Sequence, residues 1–259
     1  MEIIFLGTGT GVPWAQRGSP GLAILSEGCT ILLDGGSGTL RQLAAAGLSY
    51  NDLDFIIYTH FHPDHTADLA PYLFATRYWP GFTRTGPAVI YGPEGLLDLY
   101  GHLRQAYGHW IEPPQDRVMI RELPLEPGYR FKCGSLQVES WPINHTATSL
   151  GYRLISSEGL VTAVSGDTDF SPELIELARG VDLLITECSF PEGQKREGHL
   201  TPSLAGQAAR EAGVKSLALT HFYPETQGHD LLAAVRREFS GPVTLAHDLC
   251  RLRLNGPGD

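Results

Sequence analysis

The segment that most constrains this 259-residue chain is His60-Phe61-His62-Pro63-Asp64-His65, which places three imidazoles and one carboxylate within six residues. Imidazole nitrogens and carboxylate oxygens are the ligands that hold zinc, iron or manganese in proteins. Residues 55–59 form an apolar run that predicts a buried β-strand leading into the segment. Side chains two positions apart in extended backbone point the same way, so the first two histidines project together. The proline suits the start of a helix and turns the last two ligands towards a second point. One loop is therefore predicted to supply halves of two metal sites.

A His-x-His-x-Asp-His segment after an apolar strand resembles the signature of the metallo-β-lactamase superfamily, which includes β-lactamases, thioesterases, ribonuclease Z and other phosphodiesterases. The resemblance spans nearly the whole chain. It implies an α/β (α+β) fold, a four-layer αββα sandwich of two mixed β-sheets with helices outside, and a single hydrolase domain over residues 1–259. Strand and helix signals alternate along the chain without a linker or a low-complexity segment, which agrees with that plan.

The resemblance also implies three metal ligands further along the chain, each placed after an apolar, strand-like run: His145, Asp167 and His221. Ligands at the ends of successive strands converge on one edge of a sheet. The implied first site holds His60, His62, His145 and Asp167, and the second holds Asp64, His65, His221 and the shared Asp167. Two divalent ions are expected, zinc by default, while manganese and iron also accept such ligands.

Within the superfamily, the chain is more similar to the ribonuclease Z branch. Residues 6–13 with Arg17, and residues 34–43, resemble the first two motifs of that branch. Residues 187–190 and 198–201 resemble two segments that contribute a paired glutamate and histidine. Carried over to this chain, Glu187 orients His199, and His199 stabilises charge on the scissile phosphate or donates a proton. Thr201 and the proline after it also suit the start of a helix, and both interpretations can hold together.

Two motifs near the N-terminus have more than one interpretation. The glycines of residues 7–11 are not spaced as GxGxxG and no lysine follows, so we expect a tight turn beneath the metal site rather than a phosphate loop. Asp34 follows a predicted strand. It is expected either to hydrogen-bond a ligand histidine or to form a simple Asp-Gly turn.

The resemblance implies a dinuclear metal-dependent hydrolase in which a water held between two metals loses its proton near neutral pH and attacks phosphorus. Asp64 can also orient that nucleophile. Ribonuclease Z carries a long arm that grips tRNA, often between the positions matching His145 and Asp167, whereas only 21 residues lie between them here. The net charge of −10 and the three lysines argue against a long nucleic acid. The expected substrate is a small phosphodiester, such as a cyclic nucleotide, or a short oligonucleotide.

Three alternatives stay open. They are a thioesterase or lactonase-type hydrolase on the same metal core, a tRNA 3′-end processing endoribonuclease, and a metal-binding accessory protein without turnover. No run of 18 apolar residues occurs, so neither a transmembrane helix nor a membrane partner is expected. Residues 1–7 start a strand without a basic region or a cleavage site, which predicts a cytoplasmic location by default. Superfamily members often dimerise, and a homodimer is left open.

Overall fold

The computed structural model describes residues 1–78, 84, 86–114 and 116–255. The strands are β1 (Glu2–Gly7), β2 (Gly21–Ser26), β3 (Cys29–Leu33), β4 (Phe55–Ile57), β5 (Ala88–Pro93), β6 (Val118–Leu123), β7 (Tyr129–Cys133), β8 (Leu136–Pro142), β9 (Leu150–Ile155), β10 (Val161–Val164), β11 (Leu183–Glu187), β12 (Ser216–Thr220), β13 (Val243–Leu245) and β14 (Arg251–Arg253). The helices are α1 (Thr39–Ala45), α2 (Pro63–Thr66), α3 (Leu69–Tyr78), α4 (Leu96–Tyr107), α5 (Pro172–Ala178), α6 (Pro202–Ala212) and α7 (Leu231–Arg236).

The strands form two mixed sheets. The first has the order β14-β1-β2-β3-β4-β5-β6, and its strands β3 to β6 run parallel. The second has the order β13-β12-β11-β10-β9-β8-β7, with β10 to β13 parallel. Because β9 is antiparallel to both β8 and β10, the strands β8, β10 and β12 run the same way and end at one edge.

Three apolar clusters show how the layers pack. In β1, Ile3 and Phe5 enter the core between the two sheets, whereas Ile4 and Leu6 pack beneath the helices on the outer side of the first sheet. A third cluster lies between the second sheet and helices α5, α6 and α7. Strands covered on both faces are apolar on both faces, which explains the continuous apolar run of β1. The expected αββα sandwich is confirmed.

The two sheets meet at the edge where the loop after β4 lies. The Leu150 amide in β9 donates to the Thr59 carbonyl at 2.9 Å, and the Tyr152 hydroxyl donates to the Tyr58 carbonyl at 2.6 Å. Gly166, with φ of 66°, packs so closely that a Cβ there would lie 2.8 Å from the Thr59 Cβ. These contacts hold the loops after β4 and after β10 against each other.

Strands and helices alternate as expected, and the hairpin β9–β10 fills the interval between His145 and Asp167. The strand before the histidine cluster ends earlier than expected, at Ile57, because the Thr59 amide donates to the Asp34 side chain instead of a neighbouring strand. The last helix ends at Arg236, and the residues after it continue as a turn. None of the described helices is long and apolar enough to cross a membrane.

Candidate metal centre

The loop after β4 leads into the short helix α2, which starts at Pro63 as the sequence predicted. His62 occupies the N-cap position in extended backbone, and Asp64 and His65 lie in the helix. His60 and His65 are buried, whereas His62 is exposed. The cluster is therefore closed towards the protein interior and open to solvent on the His62 side.

The first group of side chains is His60, His62, His145 and Asp167. The His60 Nε2 and His62 Nδ1 atoms lie 3.0 Å apart, and His62 Nδ1 is 3.2 Å from His145 Nε2. His145 Nε2 lies 3.8 Å from the Asp167 Oδ2 atom. Nitrogen ligands about 2.05 Å from a tetrahedral zinc ion lie about 3.3 Å from one another. The four donor atoms are thus spaced as one metal ion requires.

The second group is Asp64, His65 and His221, joined by the other oxygen of Asp167. The Asp167 Oδ1 atom lies 3.3 Å from both His65 Nε2 and His221 Nε2. The Asp64 Oδ2 atom lies 3.4 Å from His221 Nε2 and 3.9 Å from His65 Nε2. One carboxylate therefore presents one oxygen to each group.

Two atoms of the second group lack a conventional hydrogen-bond partner. His65 Nε2 and Asp167 Oδ1 are buried and without a hydrogen bond in the described part of the chain. A buried polar atom without a partner is costly, so such an atom calls for an explanation. A divalent cation bound between them would satisfy both atoms, and the His and Asp side chains present are of the types that bind such an ion.

Hydrogen bonds to the far side of each ring set which nitrogen faces the centre. The His65 Nδ1–H donates to Asp34 Oδ2 at 2.9 Å, because a carboxylate can only accept. Thr59 Oγ1 donates to the same oxygen and so accepts from His60 Nδ1–H at 3.0 Å. His145 Nδ1–H donates to the Gly198 carbonyl at 2.8 Å. Each of these bonds keeps a proton on Nδ1, so that Nε2 is the nitrogen that would bind a metal. The first of the two interpretations of Asp34 is confirmed.

Charges and burial tune the protonation of this cluster. Burial, reinforced by the neighbouring histidines, lowers the pKa of His60 to about 2, so its ring is neutral. Burial also lowers the pKa of His65, but the carboxylates of Asp167 and Asp34 outweigh it and hold the pKa well above the usual value. Burial raises the pKa of Asp64, yet the bond from His221 and the charge of His65 bring it down to about 2. The neighbouring histidines likewise outweigh burial at Asp167 and hold its pKa well below the usual value, so Asp64 and Asp167 are both ionised at neutral pH.

Glu187 and His199 lie beside both groups. His199 Nδ1–H donates to Glu187 Oε1 at 3.0 Å, and the His199 ring centre lies 5.1 Å from that of His145 and 6.0 Å from that of His221. Glu187 is buried and accepts further bonds from the Thr168 amide, the Leu200 amide and the Ser189 hydroxyl. Burial lowers the pKa of His199, but Glu187 more than compensates, and the pKa lies above its ordinary value.

Comparison with known proteins agrees with this geometry. A family model described as a β-lactamase superfamily domain matches residues 30–222. The ribonuclease Z of Brevibacillus brevis is 32% identical, and the match covers 96% of this chain and 95% of that protein. The chain belongs to the β-lactamase superfamily. It lies in the ribonuclease Z-like branch and is a metal-dependent hydrolase.

Solved structures of this superfamily have the same fold. YhfI from Bacillus subtilis superposes with a TM-score of 0.83 at 24% identity, covering 97% of this chain and 98% of that one. The short form of human tRNase Z gives a TM-score of 0.80 at 26% identity, covering 98% of this chain and 100% of that one. The alignment with the Brevibacillus brevis enzyme runs over 308 positions, more than the 259 residues of this superfamily hydrolase. That relative therefore carries segments that this chain lacks.

Several contacts of this superfamily hydrolase were not found by reading its sequence. Asp248, near the C-terminus, accepts hydrogen bonds from the Thr8 amide and hydroxyl and from the Gly18 amide. The Arg17 guanidinium donates to the Thr8 hydroxyl and lies 4.4 Å from the ring centre of Phe222, next to His221. The N-terminal motif is thus tied to the loop that carries His221. No motif in the sequence around Asp248 signals that role.

The structure refines two expectations about local structure. Gly7 and Gly9 do not have positive φ; they are needed because residues 17–19 pass too close for a side chain. A Cβ at Gly7 would lie 1.9 Å from the Ser19 carbonyl oxygen. The expected helix start is confirmed, because Thr201 occupies the N-cap position of α6 and Pro202 follows, although the Thr201 hydroxyl caps no backbone amide.

Proposed function

We propose that the chain is a dinuclear metal-dependent phosphodiesterase that acts on a small phosphodiester, such as a cyclic nucleotide, or on a short oligonucleotide. The observation that carries the proposal is Asp167, whose two oxygens face two different groups of ligand atoms. A shared carboxylate suits the pairs of ions, about 3.5–4 Å apart, that enzymes use for phosphoryl substrates. We take zinc as the default metal for this His-rich set. Because both sheets contribute to both groups, we propose that the chain acts as one hydrolase domain.

When bound, two such ions supply a hydroxide nucleophile at neutral pH and stabilise negative charge on the phosphate oxygens. Asp64 engages the second group through Oδ2, and its side chain is 15% exposed on the open side of the site. Its other oxygen can accept a hydrogen bond from the attacking water and orient it. Asp64 is therefore both a metal ligand and a positioning group in this proposal.

His199 is proposed to donate a proton to the leaving oxygen. Its Nδ1–H is used by Glu187, so Nε2 remains for the substrate. The raised pKa of His199 keeps that second proton in place to higher pH than for a free imidazole. A positioned general acid of this kind contributes roughly 10²–10⁴-fold to the rate. The same protonated ring also stabilises charge on the phosphate oxygens.

The preference for a small substrate rests on what surrounds the site. The hairpin β9–β10 occupies the interval in which an arm would be inserted, with a short turn between its strands. The net charge of −10 disfavours a long polyanion, whose affinity depends on many phosphate contacts. A substrate with one diester group needs only the metal cations and His199 to balance the charge of its phosphate.

The test is turnover of bis-p-nitrophenyl phosphate by zinc- or manganese-loaded protein. Asp64→Ala and His199→Ala are measured beside His229→Ala, which removes an exposed imidazole that belongs to neither group. Metal-dependent turnover that is lost in the first two variants and kept in the third supports the proposal. Cyclic nucleotides, dinucleotides and a precursor tRNA are then compared as substrates.

Other outcomes select the alternatives. Absence of diester cleavage by protein with two bound metals, together with cleavage of an acyl thioester or a lactone, would assign the chain to the acyl hydrolases. Efficient cleavage of precursor tRNA at its 3′ end would show that the missing arm is dispensable. No turnover of any of these substrates would leave an accessory metal-binding role.

A further inference from the structure

Ser189 lies between the proton-transfer pair and a candidate metal ligand. It follows β11 by two residues and is fully buried. Its Oγ atom lies 2.5 Å from Glu187 Oε2, 3.0 Å from His221 Nδ1 and 3.3 Å from His199 Nδ1. The same oxygen is 3.2 Å from the carbonyl of His221. A single hydroxyl therefore contacts all three side chains.

The direction of each hydrogen bond follows from the donor inventory. A serine hydroxyl has one proton and two lone pairs, and the Glu187 carboxylate can only accept. Ser189 therefore donates to Glu187 Oε2, its shortest contact. Its oxygen then accepts from His221 Nδ1–H, so Nε2 is the nitrogen that faces Asp64 and Asp167 and would bind a metal. His199 Nδ1–H has a nearer acceptor in Glu187 Oε1, at 3.0 Å.

We propose that Ser189 is a positioning residue that couples the Glu187–His199 pair to the metal group containing His221. One buried carboxylate orients His199 directly and orients His221 through the Ser189 hydroxyl. The inference deepens the proposed function, because it assumes that His221 binds a metal ion and that His199 acts on the substrate. Metal occupancy of the second group and the orientation of His199 should then change together.

The backbone at His221 makes this support necessary. His221 has φ of 57°, a left-handed conformation that a residue with a Cβ rarely adopts without support. The loop is held by the Phe222 amide, which donates to the Thr8 carbonyl, and by the Tyr223 amide, which donates to the Ser189 carbonyl. These backbone bonds set the path of the chain but do not select the imidazole tautomer. The Ser189 hydroxyl is the described group that contacts His221 Nδ1.

The experiment compares Ser189→Ala, Ser189→Thr and Ser140→Ala. Ser140 is a matched control because it is equally buried and its hydroxyl has no hydrogen-bond partner in the described part of the chain. Two quantities are measured without any substrate. They are the stepwise zinc affinities by competition with a chelator, and the His221 tautomer by ¹⁵N NMR of the zinc-loaded protein. The effects on kcat and on KM are then measured separately with a substrate.

We expect Ser189→Ala to lower the affinity of the His221-containing group for zinc by about 10–100-fold, because a ligand histidine loses its outer hydrogen bond. The affinity of the other zinc should change less than about twofold, the His221 tautomer should become mixed, and kcat should fall at constant KM. Ser189→Thr keeps the hydroxyl and should restore all of these, and Ser140→Ala should change none.

Equal losses of both zinc ions in Ser189→Ala would overturn the proposal, and so would an unchanged tautomer with unchanged affinities. If Ser189→Ala fails to fold, Ser189→Thr decides. Normal affinities and a single Nδ1–H tautomer in that variant support the proposal, whereas a mixed tautomer in a folded Ser189→Thr protein contradicts it. Zinc binding and the tautomer need no substrate, so failure of the phosphodiesterase assay remains a separate result.

Discussion

Replacing Asp34 by asparagine is predicted to damage metal binding through a change in a neighbouring ring. The carboxylate accepts three bonds, from the Thr59 amide at 2.8 Å, the Thr59 hydroxyl at 2.9 Å and His65 Nδ1–H at 2.9 Å. Asparagine has the same shape and tolerates the left-handed backbone of this position, where φ is 59°. However, it offers one acceptor oxygen and one NH₂ donor in place of two acceptors.

The less costly orientation keeps the oxygen on the Thr59 amide and turns the NH₂ towards His65. His65 can accept at Nδ1 only as a neutral ring with its single proton on Nε2, which faces Asp167 Oδ1 across 3.3 Å. A metal at Nε2 requires the opposite tautomer, whose Nδ1–H would point at the NH₂ group of the asparagine. We expect the affinity of the second group for zinc to fall by roughly 10–100-fold. The free energy of unfolding of the metal-free protein should fall by about 1–2 kcal/mol, because one buried hydrogen bond is lost and the others no longer have a charged acceptor.

The assay is chelator competition for zinc, with urea unfolding of the metal-free protein measured in parallel. Asp68→Asn is the matched control, because Asp68 accepts amide bonds from Gly38 and Leu40 and contacts no candidate ligand. It should leave both zinc affinities unchanged. Unchanged zinc affinity in a folded Asp34→Asn protein would refute the tautomer argument, and equal weakening in both variants would attribute the effect to general destabilisation.

Three further predictions concern catalysis, protons and backbone packing. His199→Ala should lower kcat roughly 10²–10⁴-fold while two metal ions remain bound, because the imidazole acts on substrate. Zinc binding near neutral pH should release about one proton, since His65 holds a proton in the metal-free protein and the metal needs a neutral ring. Zinc affinity should therefore rise about tenfold per pH unit until the pH reaches the raised pKa of His65, and level off above it. Gly36→Ala should destabilise the protein by about 3 kcal/mol, because the new Cβ would lie 1.8 Å from the Asp64 carbonyl oxygen.

Each of these has its own check. Metal content by elemental analysis must stay constant in His199→Ala, and loss of metal there would show that the ring is a ligand instead. Proton release is obtained by calorimetry in buffers of different ionisation enthalpy, and zinc affinity independent of pH would contradict a protonated His65. Gly101→Ala is the control for backbone packing, because a Cβ there meets nothing within 4 Å. It should be neutral or slightly stabilising, and equal stability of both glycine variants would count against the steric argument.

The residues of the candidate metal centre could be proposed from the sequence because most of them are local. Four candidate ligands lie in one loop, where strand geometry and a proline dictate how they point. His145, Asp167 and His221 could be named only by resemblance, since a lone histidine or aspartate after a strand is usually a cap or a turn. The strands before them were visible as apolar runs, because the sheets are covered on both faces.

The tertiary structure alone decided how these candidate ligands are held. Ser189, Gly198 and Asp248 are ordinary residues in sequence, and each gains its role from a partner 32 to 240 residues away in the chain: His221, His145 and Thr8. The parallel strands β5 and β6 and the helices α3 and α4 were likewise not assigned from the pattern of residues. A sequence lists which donors and acceptors exist, but hydrogen bonds between residues this far apart in the chain form only in the folded protein. The physical reason is that ligand chemistry belongs to side chains, whereas tautomer and orientation depend on neighbours distant in the chain.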